Sequence, residues 1–307
     1  MNEDIRFIPD DLPIEILPFG ALSQQQNWGI EFCKIEEAWR QTTGTGIRVA
    51  VLDTGISEHP DLNWSSDLTF NCSMDPTYID EKSGHGTHVA GIIGAKNNAF
   101  GVVGVAPDCI LIPIKVLNNN GGGSYESIVS GIEKAIESKA DIISMSLGSN
   151  SAPPDKVHQV IKKAADAGII ILAAAGNDGG VTNYPARYEE VIAVAAIDEN
   201  GDYATFTSGD DTVDSVAPGV GIYSTFLNQG YAKMSGTSQA CPFVAGLCAL
   251  ALSFTRSNPD LPQIKNYIDM LRVLDLLSDD TKYVNAGGPK KWGFGAPKIA
   301  NVDWRQV

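Results

Sequence analysis

The chain has 307 residues, of which 43% are hydrophobic, and it is therefore long enough to bury a large core. Aspartate and glutamate total 37 against 22 lysine and arginine residues, so the formal net charge at pH 7 is −15. This acidic balance opposes binding to nucleic acid or to an anionic membrane, and we expect neither partner.

Residues 1–22 show no hydrophobic periodicity, and we expect them to form an extension that precedes a single α/β domain over residues 23–307. The first residues lack the basic segment and apolar run of a secretory signal, and no later stretch is expected to span a membrane. Scattered cysteines without a C-x-x-C pair predict buried free thiols and a cytoplasmic protein. They are Cys33, Cys72, Cys109, Cys241 and Cys248.

The first half of the domain contains two predicted helices and a strand. A short amphipathic helix is predicted over residues 28–39. The apolar run 47–52 predicts a buried parallel strand that places Asp53 at its carboxyl end. A second helix is predicted to begin at His85 and to continue to Ala95.

The rest of the domain continues the alternation of strand and helix. Strands are predicted over residues 110–116 and 169–174 and within residues 142–148, and helices are predicted after Ser124 and from Asp155. This order predicts a parallel sheet with right-handed crossovers. Catalytic loops should then gather at the carboxyl ends of its strands.

Ser238 lies shortly before the most apolar segment of the chain. The block Ser235-Gly236-Thr237-Ser238 precedes the apolar run 243–252, which predicts a buried helix that is too short to cross a bilayer. Pro242 should occupy the first turn of this helix, where its missing N–H has no intrahelical partner. The helix N-terminus would then favour an oxyanion beside Ser238.

A serine nucleophile needs a base and a group that orients the base. Asp53, at the end of its strand, and His85, at the start of its helix, are the candidates. The order along the chain is therefore Asp, His, Ser, which is one of the known arrangements of the serine triad.

Three other classes of hydrolase are disfavoured by the same motifs. Asp53-Thr54-Gly55 also occurs in aspartic proteases, but the chain has no second Asp-Thr/Ser-Gly triplet. Ala240 stands where the nucleophile elbow of an α/β-hydrolase needs glycine, and in that class the serine comes first. His85 and His88 lack the His-Glu-x-x-His pattern of a zinc hydrolase, and we interpret His88 as structural.

Three blocks in this order resemble the signature of the subtilisin-like serine proteases. They are Asp53-Thr54-Gly55, His85-Gly86-Thr87-His88 and Ser235-Gly236-Thr237-Ser238. The resemblance extends from about Gln24 to Asn301. It implies a subtilisin-like three-layer α/β fold, in which a central, mostly parallel sheet is flanked by helices.

The same resemblance implies a serine endopeptidase that acts on protein or peptide substrates. Ser238 would form the acyl-enzyme, His85 would act as general base and then acid, and Asp53 would orient the imidazole. Asn177 would donate its side-chain amide to the oxyanion. The alternative is a catalytically silent binding protein on the same fold.

The substrate cleft is assigned by resemblance alone. The edge formed by Gly121, Gly122 and Gly123 is implied to pair with extended substrate, with Tyr125 beside a distal pocket. The residues implied for the primary specificity pocket are Ser146, Leu147, Gly148, Ala174, Gly176 and Asn183. Ser149 and Gln239 stand where the family often has glycine and methionine, which affects the expected specificity and leaves the mechanism intact.

A calcium ion is implied at the loop 96–102, because the matching loop of subtilisins wraps calcium. The implied side-chain ligands are Gln24, Asp61 and Asn98, and the implied backbone carbonyls are those of Lys96, Phe100 and Val102. Calcium prefers such a mixture of carboxylate, amide and carbonyl oxygens. The alternative is an asparagine-rich surface turn without metal.

The N-terminal extension resembles that of the intracellular subtilisins, in which a Leu-Ile-Pro-type segment lies across the cleft. Phe7-Ile8-Pro9 is the matching segment, and we expect residues 1 to about 20 to inhibit the enzyme until they are cleaved. A disordered tail is the alternative. A homodimer is a further possible assembly.

Overall fold

The computed structural model of the protein describes residues 5–6, 15–17, 23–77, 79–80, 82–279 and 293–299. Its centre is a seven-stranded sheet in which every pairing of neighbouring strands is parallel. Helices pack on both faces of this sheet. The predicted three-layer α/β fold class is therefore confirmed.

The described part of the chain forms fourteen strands and seven α-helices. The strands are β1 (Ile5–Arg6), β2 (Glu15–Leu17), β3 (Arg48–Asp53), β4 (Phe70–Asn71), β5 (Ile110–Lys115), β6 (Gly122–Gly123), β7 (Ile142–Met145), β8 (Ile170–Ala174), β9 (Ile192–Ile197), β10 (Ser215–Pro218), β11 (Ile222–Thr225), β12 (Tyr231–Met234), β13 (Ser278–Asp279) and β14 (Ala296–Pro297). The α-helices are α1 (Trp28–Phe32), α2 (Ile35–Trp39), α3 (His85–Gly94), α4 (Tyr125–Glu137), α5 (Asp155–Asp166), α6 (Thr237–Ser257) and α7 (Tyr267–Leu277).

The central sheet has the strand order β10-β9-β8-β7-β3-β5-β4. Successive residues of β3 face opposite sides of the sheet, since side chains alternate along a strand. Val49 and Val51 join the core that contains residues of α3 and α6, whereas Ala50 and Leu52 join the core that contains residues of α4 and α5. Burial on both faces explains why these strands are continuous apolar runs in the sequence.

Most predicted elements form close to their expected bounds, and the exceptions are the first predicted helix and the length of α6. Ser124 caps α4 as expected, because its Oγ accepts a 3.1 Å hydrogen bond from the N–H of Ser127. The single helix predicted over residues 28–39 is wrong. The chain forms α1 and α2 instead, and Lys34 between them has a φ of 58°, a left-handed conformation that interrupts a right-handed helix.

Helix α6 is longer than its apolar run suggested, with 21 residues. It is the one described helix whose length and composition would allow it to cross a membrane, contrary to our expectation that no stretch would be long enough. All residues of its most apolar window are buried inside the fold. The helix therefore serves as the central helix of the core, packed against α3 and against β7, β8, β9 and β10.

Two short pieces of the N-terminal extension add strands to the domain. Strand β1 pairs antiparallel with β6, with Ile5 opposite Gly123 and Arg6 opposite Gly122. Strand β2 pairs antiparallel with β12, which lies in a three-stranded sheet with β11. The segment Phe7-Ile8-Pro9 lies outside the described residues.

The five cysteines all lie in the described part of the chain, and their thiols are free. Cys72 is half-buried, and the other four are buried. Burial raises the pKa of both Cys109 and Cys241 to about 12, so these thiols are protonated near neutral pH. They pack as small apolar side chains.

Candidate active site

Asp53 and His85 form a buried pair at the carboxyl end of the central strand β3. The His85 Nδ1 lies 2.7 Å from the Asp53 Oδ1, and each side chain is only 1% exposed. An ionised carboxylate can only accept hydrogen bonds, so Nδ1 is the donor and Nε2 is left to act as a base. The N–H of Thr54 donates to the same Oδ1 at 2.7 Å and fixes the carboxylate.

The first turn of α3 approaches the loop after β3 closely enough to need glycine. The N–H of Gly86 donates to the Oγ1 of Thr54 at 2.9 Å. A Cβ on Gly86 would collide with the carbonyl oxygen of Gly55. The residue after His85 is therefore small for a physical reason, because the start of α3 meets the loop after β3 there.

Ser238 is the second residue of α6 and is fully buried. Pro242 lies in the second turn of this helix, so the prediction that it occupies the first turn is wrong. Because proline has no N–H, the carbonyl of Ser238 lacks the usual donor four residues later. The Oγ of Ser146 donates to that carbonyl at 2.8 Å instead, which holds the backbone of Ser238 from outside the helix.

Asn177 follows β8 and presents its side chain in one fixed orientation. Its Oδ1 accepts hydrogen bonds from the N–H of Thr237 at 2.9 Å and from the Thr237 Oγ1 at 3.0 Å. The Thr237 Oγ1 in turn accepts from the N–H of Gly176 at 3.1 Å. These contacts identify the oxygen of the amide, so its Nδ2 donors face away from Thr237.

Two of the residues predicted for the specificity pocket, Gly148 and Gly176, lie against Asn183. Gly176 has a φ of +122°, and a Cβ there would lie 2.6 Å from the Asn183 Nδ2. Gly148 packs against the same asparagine. Leu147, which precedes Gly148, and Ala174, which lies shortly before Gly176, are fully buried. The hydroxyl of Ser146, by contrast, is bonded to the Ser238 carbonyl. How these residues select a substrate stays a prediction.

The predicted substrate edge is already paired with another strand. Gly122 and Gly123 form β6, and their partner is β1 of the N-terminal extension. Gly121 precedes this strand with a φ of +79°, and its N–H closes a turn to the carbonyl of Asn118 at 2.9 Å. Tyr125 begins α4 and is half-buried beside this edge in the sequence.

His88 is bonded as a structural residue. Its Nε2 lies 3.1 Å from the carbonyl oxygens of Ile222 and Ala232, so it carries the proton. Burial lowers the pKa of His88 to about 3, and the ring is neutral. The Gln239 Nε2 lies 3.5 Å from the His88 Nδ1, which places the residue after Ser238 against this ring.

Lys115 is a buried charge that the sequence analysis missed. It pairs with Asp53 in the register of β3 and β5, and it is fully buried. Its Nζ donates to the Thr54 carbonyl and, at 3.0 Å, to the Asn119 Oδ1, and it lies 3.4 Å from Asp75. A lysine inside an otherwise apolar strand was the available signal. Its contacts join the loop after Asp53 to the loop that precedes β6.

The six residues predicted for calcium meet in one hydrogen-bonded cluster. Asp61 is fully buried, and its two oxygens accept from the Asn98 Nδ2 at 2.6 Å and from the N–H of Val102 at 3.0 Å. The Asn98 Oδ1 accepts from the N–H of Phe100 at 2.9 Å. The Gln24 Nε2 donates to the Lys96 carbonyl at 2.9 Å.

Among the described residues, no lysine, arginine or histidine forms an ion pair with Asp61. Burial raises the pKa of this carboxyl group. The described part of the chain also lacks any cluster of three or more His, Cys, Asp and Glu side chains. A cation here would therefore depend on one carboxylate, on amide oxygens and on backbone carbonyls, which is a donor set that suits calcium.

Comparison with known proteins agrees with this geometry. The family model described as "Subtilase family" matches residues 44–270. The chain is similar to "Thermostable alkaline protease" of Halalkalibacterium halodurans, with 48% identity over 76% of this chain and 64% of the relative. It is 43% identical to "Minor extracellular protease Epr" of Bacillus subtilis over 73% of this chain and 35% of that protein.

A third relative matches over nearly its whole length. "Intracellular serine protease" of Paenibacillus polymyxa is 41% identical over 292 residues, which is 89% of each chain. The chain thus spans less than two thirds of the first two relatives and most of the third. The extent of the family match and these identities show that the chain belongs to the subtilase family of serine proteases.

Proposed function

We propose that the protein is a serine endopeptidase that hydrolyses protein or peptide substrates through an acyl-enzyme on Ser238. The observation that carries this proposal is the buried 2.7 Å contact between His85 Nδ1 and Asp53 Oδ1, which leaves Nε2 as the base. Relatives named as proteases support the reaction class. The test is hydrolysis of a short peptide substrate by the full chain.

In the proposed reaction, His85 removes the proton of the Ser238 hydroxyl as the oxygen attacks the peptide carbonyl. Asp53 keeps the imidazole oriented and stabilises its charged form. The Asn177 Nδ2 and the N–H of Ser238 hold the oxyanion, and His85 then protonates the leaving amine. Water releases the acyl group by the same steps, with His85 again acting as base.

A catalytically silent scaffold is the alternative function. Such a protein would keep the fold and bind peptides along β6 without cleaving them. The oriented amide of Asn177 disfavours it, because a binding scaffold has no need for a donor fixed beside a buried serine. Absence of any hydrolysis by a folded chain freed of its extension would favour the scaffold.

We propose that the substrate backbone pairs with the edge formed by Gly121, Gly122 and Gly123. Support comes from β1, because an extended segment of this same chain adopts that pairing. Tyr125 is proposed beside a distal side-chain pocket. Asn183 is proposed to line the primary pocket with the small residues Gly148 and Gly176.

We propose that calcium binds at Asp61. The fully buried carboxylate, which forms no ion pair with a described lysine, arginine or histidine, supports a metal there. Gln24 and Asn98 would turn their amide oxygens to the ion, and the carbonyls of Lys96, Phe100 and Val102 would complete the cage. Calcium would fasten the start of the domain to the loop 96–102.

Excess calcium is expected to raise the melting temperature of the protein. A ligand at 100 times its Kd stabilises the folded state by about 2.7 kcal/mol, which corresponds to several degrees for a domain of this size. Differential scanning calorimetry with calcium and with chelator measures the change. In Asp61→Asn, which keeps the shape and removes the charge, the response to calcium should disappear. Identical melting curves of the unmodified protein in calcium and in chelator would contradict the site.

We further propose that residues 1–22 form an inhibitory extension of a catalytic domain over residues 23–307. The pairing of β1 with β6 supports this, since it occupies the proposed substrate edge. The pairing of β2 with β12 anchors the other end, and Glu15 adds a hydrogen bond from the hydroxyl of Tyr223. Cleavage of the extension would free the edge.

A chain that begins at Leu22 is expected to show kcat/KM at least about 10-fold above that of the full chain. An attached segment has an effective concentration of about 1 mM, so a segment with a Kd of about 0.1 mM would block roughly nine-tenths of the sites. The assay uses a short peptide substrate at fixed calcium and pH. A synthetic peptide of residues 1–21, added back, should inhibit the shorter chain. Equal kcat/KM for both chains would exclude inhibition by this segment.

We infer a cytoplasmic location, supported by the free thiols and by the name of the Paenibacillus polymyxa relative. The Bacillus subtilis relative is named an extracellular protease, so the names of the relatives support both locations. Immunodetection in the source cells tests the inference, and recovery in the culture medium alone would contradict it. A homodimer stays a prediction that sedimentation equilibrium can test.

A further inference from the structure

Helix α3, which begins with His85, has an unusual N-terminal cap. The residue before it, Gly84, has a φ of +73°, and a Cβ there would collide with the ring of Phe226. This position therefore cannot hold the serine, threonine, aspartate or asparagine that normally caps a helix. The free N–H groups of the first turn must find acceptors elsewhere.

Asp80, four residues before Gly84, accepts from the N–H groups of Gly84 and Thr87, whereas the N–H groups of His85 and Gly86 donate to the Ser83 Oγ and the Thr54 Oγ1. Its Oδ1 accepts from the N–H of Gly84 at 2.9 Å. Its Oδ2 accepts from the N–H and from the Oγ1 of Thr87, each at 3.2 Å. The side chain is fully buried, so these contacts replace all the solvation of the carboxylate.

The same network reaches the loop that follows Asp53. The N–H of Ser57 donates to the Thr87 Oγ1 at 2.9 Å, and the Ser57 Oγ donates to the carbonyl of Asp80. The Thr87 hydroxyl can form both hydrogen bonds at once, because it accepts from Ser57 and donates to Asp80. Asp80 thus ties the histidine-bearing helix to the segment beyond the aspartate.

We propose that Asp80 is a positioning residue for His85, because Asp80 holds the first turn of α3 against the loop after β3. The inference rests on the proposed function of His85 as general base. A displacement of about 1 Å at a reacting group can cost about 100-fold in rate, so a rigid cap of this helix contributes to turnover.

Several charged or titratable groups surround this position. The charge of Asp53 on β3 raises the pKa of the Asp80 carboxyl group, and that of Lys115 on β5 lowers it. On α3, His85 lowers the pKa of His88. Burial raises the pKa of the Asp80 carboxyl group, and the hydrogen bonds from Thr87 and Gly84 oppose this rise. The two N–H donors and one hydroxyl nevertheless suit an ionised carboxylate, which accepts only. Its charge would favour the imidazolium form of His85.

Asp80→Asn tests the proposal, because it removes the charge and turns an NH2 group toward donors. We expect kcat to fall about 10- to 100-fold, with KM within about twofold of the unmodified protein. The acid limb of the kcat/KM profile should also move to lower pH by about half a unit, since loss of a neighbouring negative charge lowers the pKa of the base. Both are measured on the full chain.

Asp141→Asn is the matched control. The Asp141 Oδ2 accepts the N–H of Arg48 at 2.8 Å at the other end of β3, and its Oδ1 pairs with Arg256 at 2.6 Å. This variant should lose stability without a shift of the acid limb. A shift of equal size in both variants, or an unchanged kcat and acid limb in folded Asp80→Asn, would overturn the positioning role.

If Asp80→Asn does not fold, Thr87→Val carries the test, because valine keeps the shape of threonine and lacks its hydroxyl. The loss of one hydrogen bond to Asp80 should lower kcat by about 3- to 10-fold. An unchanged kcat in this variant would overturn the proposal. If the unmodified protein hydrolyses no substrate, both the proposed function and the role of Asp80 are overturned. If the unmodified protein is active and the variants keep its kcat and acid limb, only the role of Asp80 is overturned.

Discussion

Ser238→Ala is expected to lower kcat by about six orders of magnitude, while leaving a slow residual reaction above the rate in water. The substitution removes the atom that forms the acyl-enzyme, so His85 and Asp53 lose their function in the same step. The residual rate would come from the oxyanion donors and from substrate binding. Steady-state hydrolysis of a short peptide substrate measures it.

The control for this variant lies three residues earlier. The Ser235 Oγ accepts from the N–H of Gly221 at 2.8 Å and takes no part in the proposed reaction. Ser235→Ala should therefore keep kcat within about 10-fold of the unmodified protein, since a lost neutral hydrogen bond contributes about 1 kcal/mol. Turnover by Ser238→Ala near that of the unmodified protein would contradict the assignment of the nucleophile.

Asn177→Ala is expected to lower kcat by about 100- to 1000-fold, which corresponds to about 2.7 to 4 kcal/mol of transition-state stabilisation. The donor acts on charge that develops only during the reaction, so KM should change little. Stopped assays over a range of substrate concentrations separate kcat from KM. The expected melting temperature is only slightly reduced, because Asn177 is a loop residue whose two described acceptor contacts are both with Thr237.

A companion variant separates orientation from donation. Thr237→Val removes the hydroxyl bond to the Asn177 Oδ1 and keeps its backbone bond. We expect it to lower kcat by about 10-fold or less, since the Asn177 Oδ1 still accepts from the backbone N–H of Thr237. A raised KM with unchanged kcat in Asn177→Ala would instead indicate ground-state substrate binding and would contradict the oxyanion role.

The fold was largely predictable because each element has a strong local signal. The run 47–52 is apolar on both faces of a strand, and Ser124 is a standard N-cap. Helix ends were less predictable, since they depend on distant contacts. The carbonyl left without a donor by Pro242 is satisfied by Ser146, and no local pattern shows that a proline can lie in the second turn for this reason.

Some residues of the candidate site were predictable from the sequence, and others were not. The aspartate, histidine and serine lie in motifs whose order along the chain identifies them, and the structure shows how Asp53 and His85 meet. Lys115 and Asp80 are fully buried. Lys115 donates to Thr54, which is distant in the sequence, and Asp80 accepts from Thr87 across the turn before α3. Their partners become visible only when the fold brings these segments together, because neither residue forms a recognisable spacing.

Reaction with a fluorophosphonate probe, followed by mass-spectrometric mapping of the modified residue, tests the central claim most directly. The probe reacts with an activated serine and needs no knowledge of the preferred substrate. We expect one probe per chain on Ser238 in the chain that begins at Leu22, and none in its Ser238→Ala variant. A folded chain that stays unmodified, or that carries the probe on another serine, would contradict the proposed nucleophile.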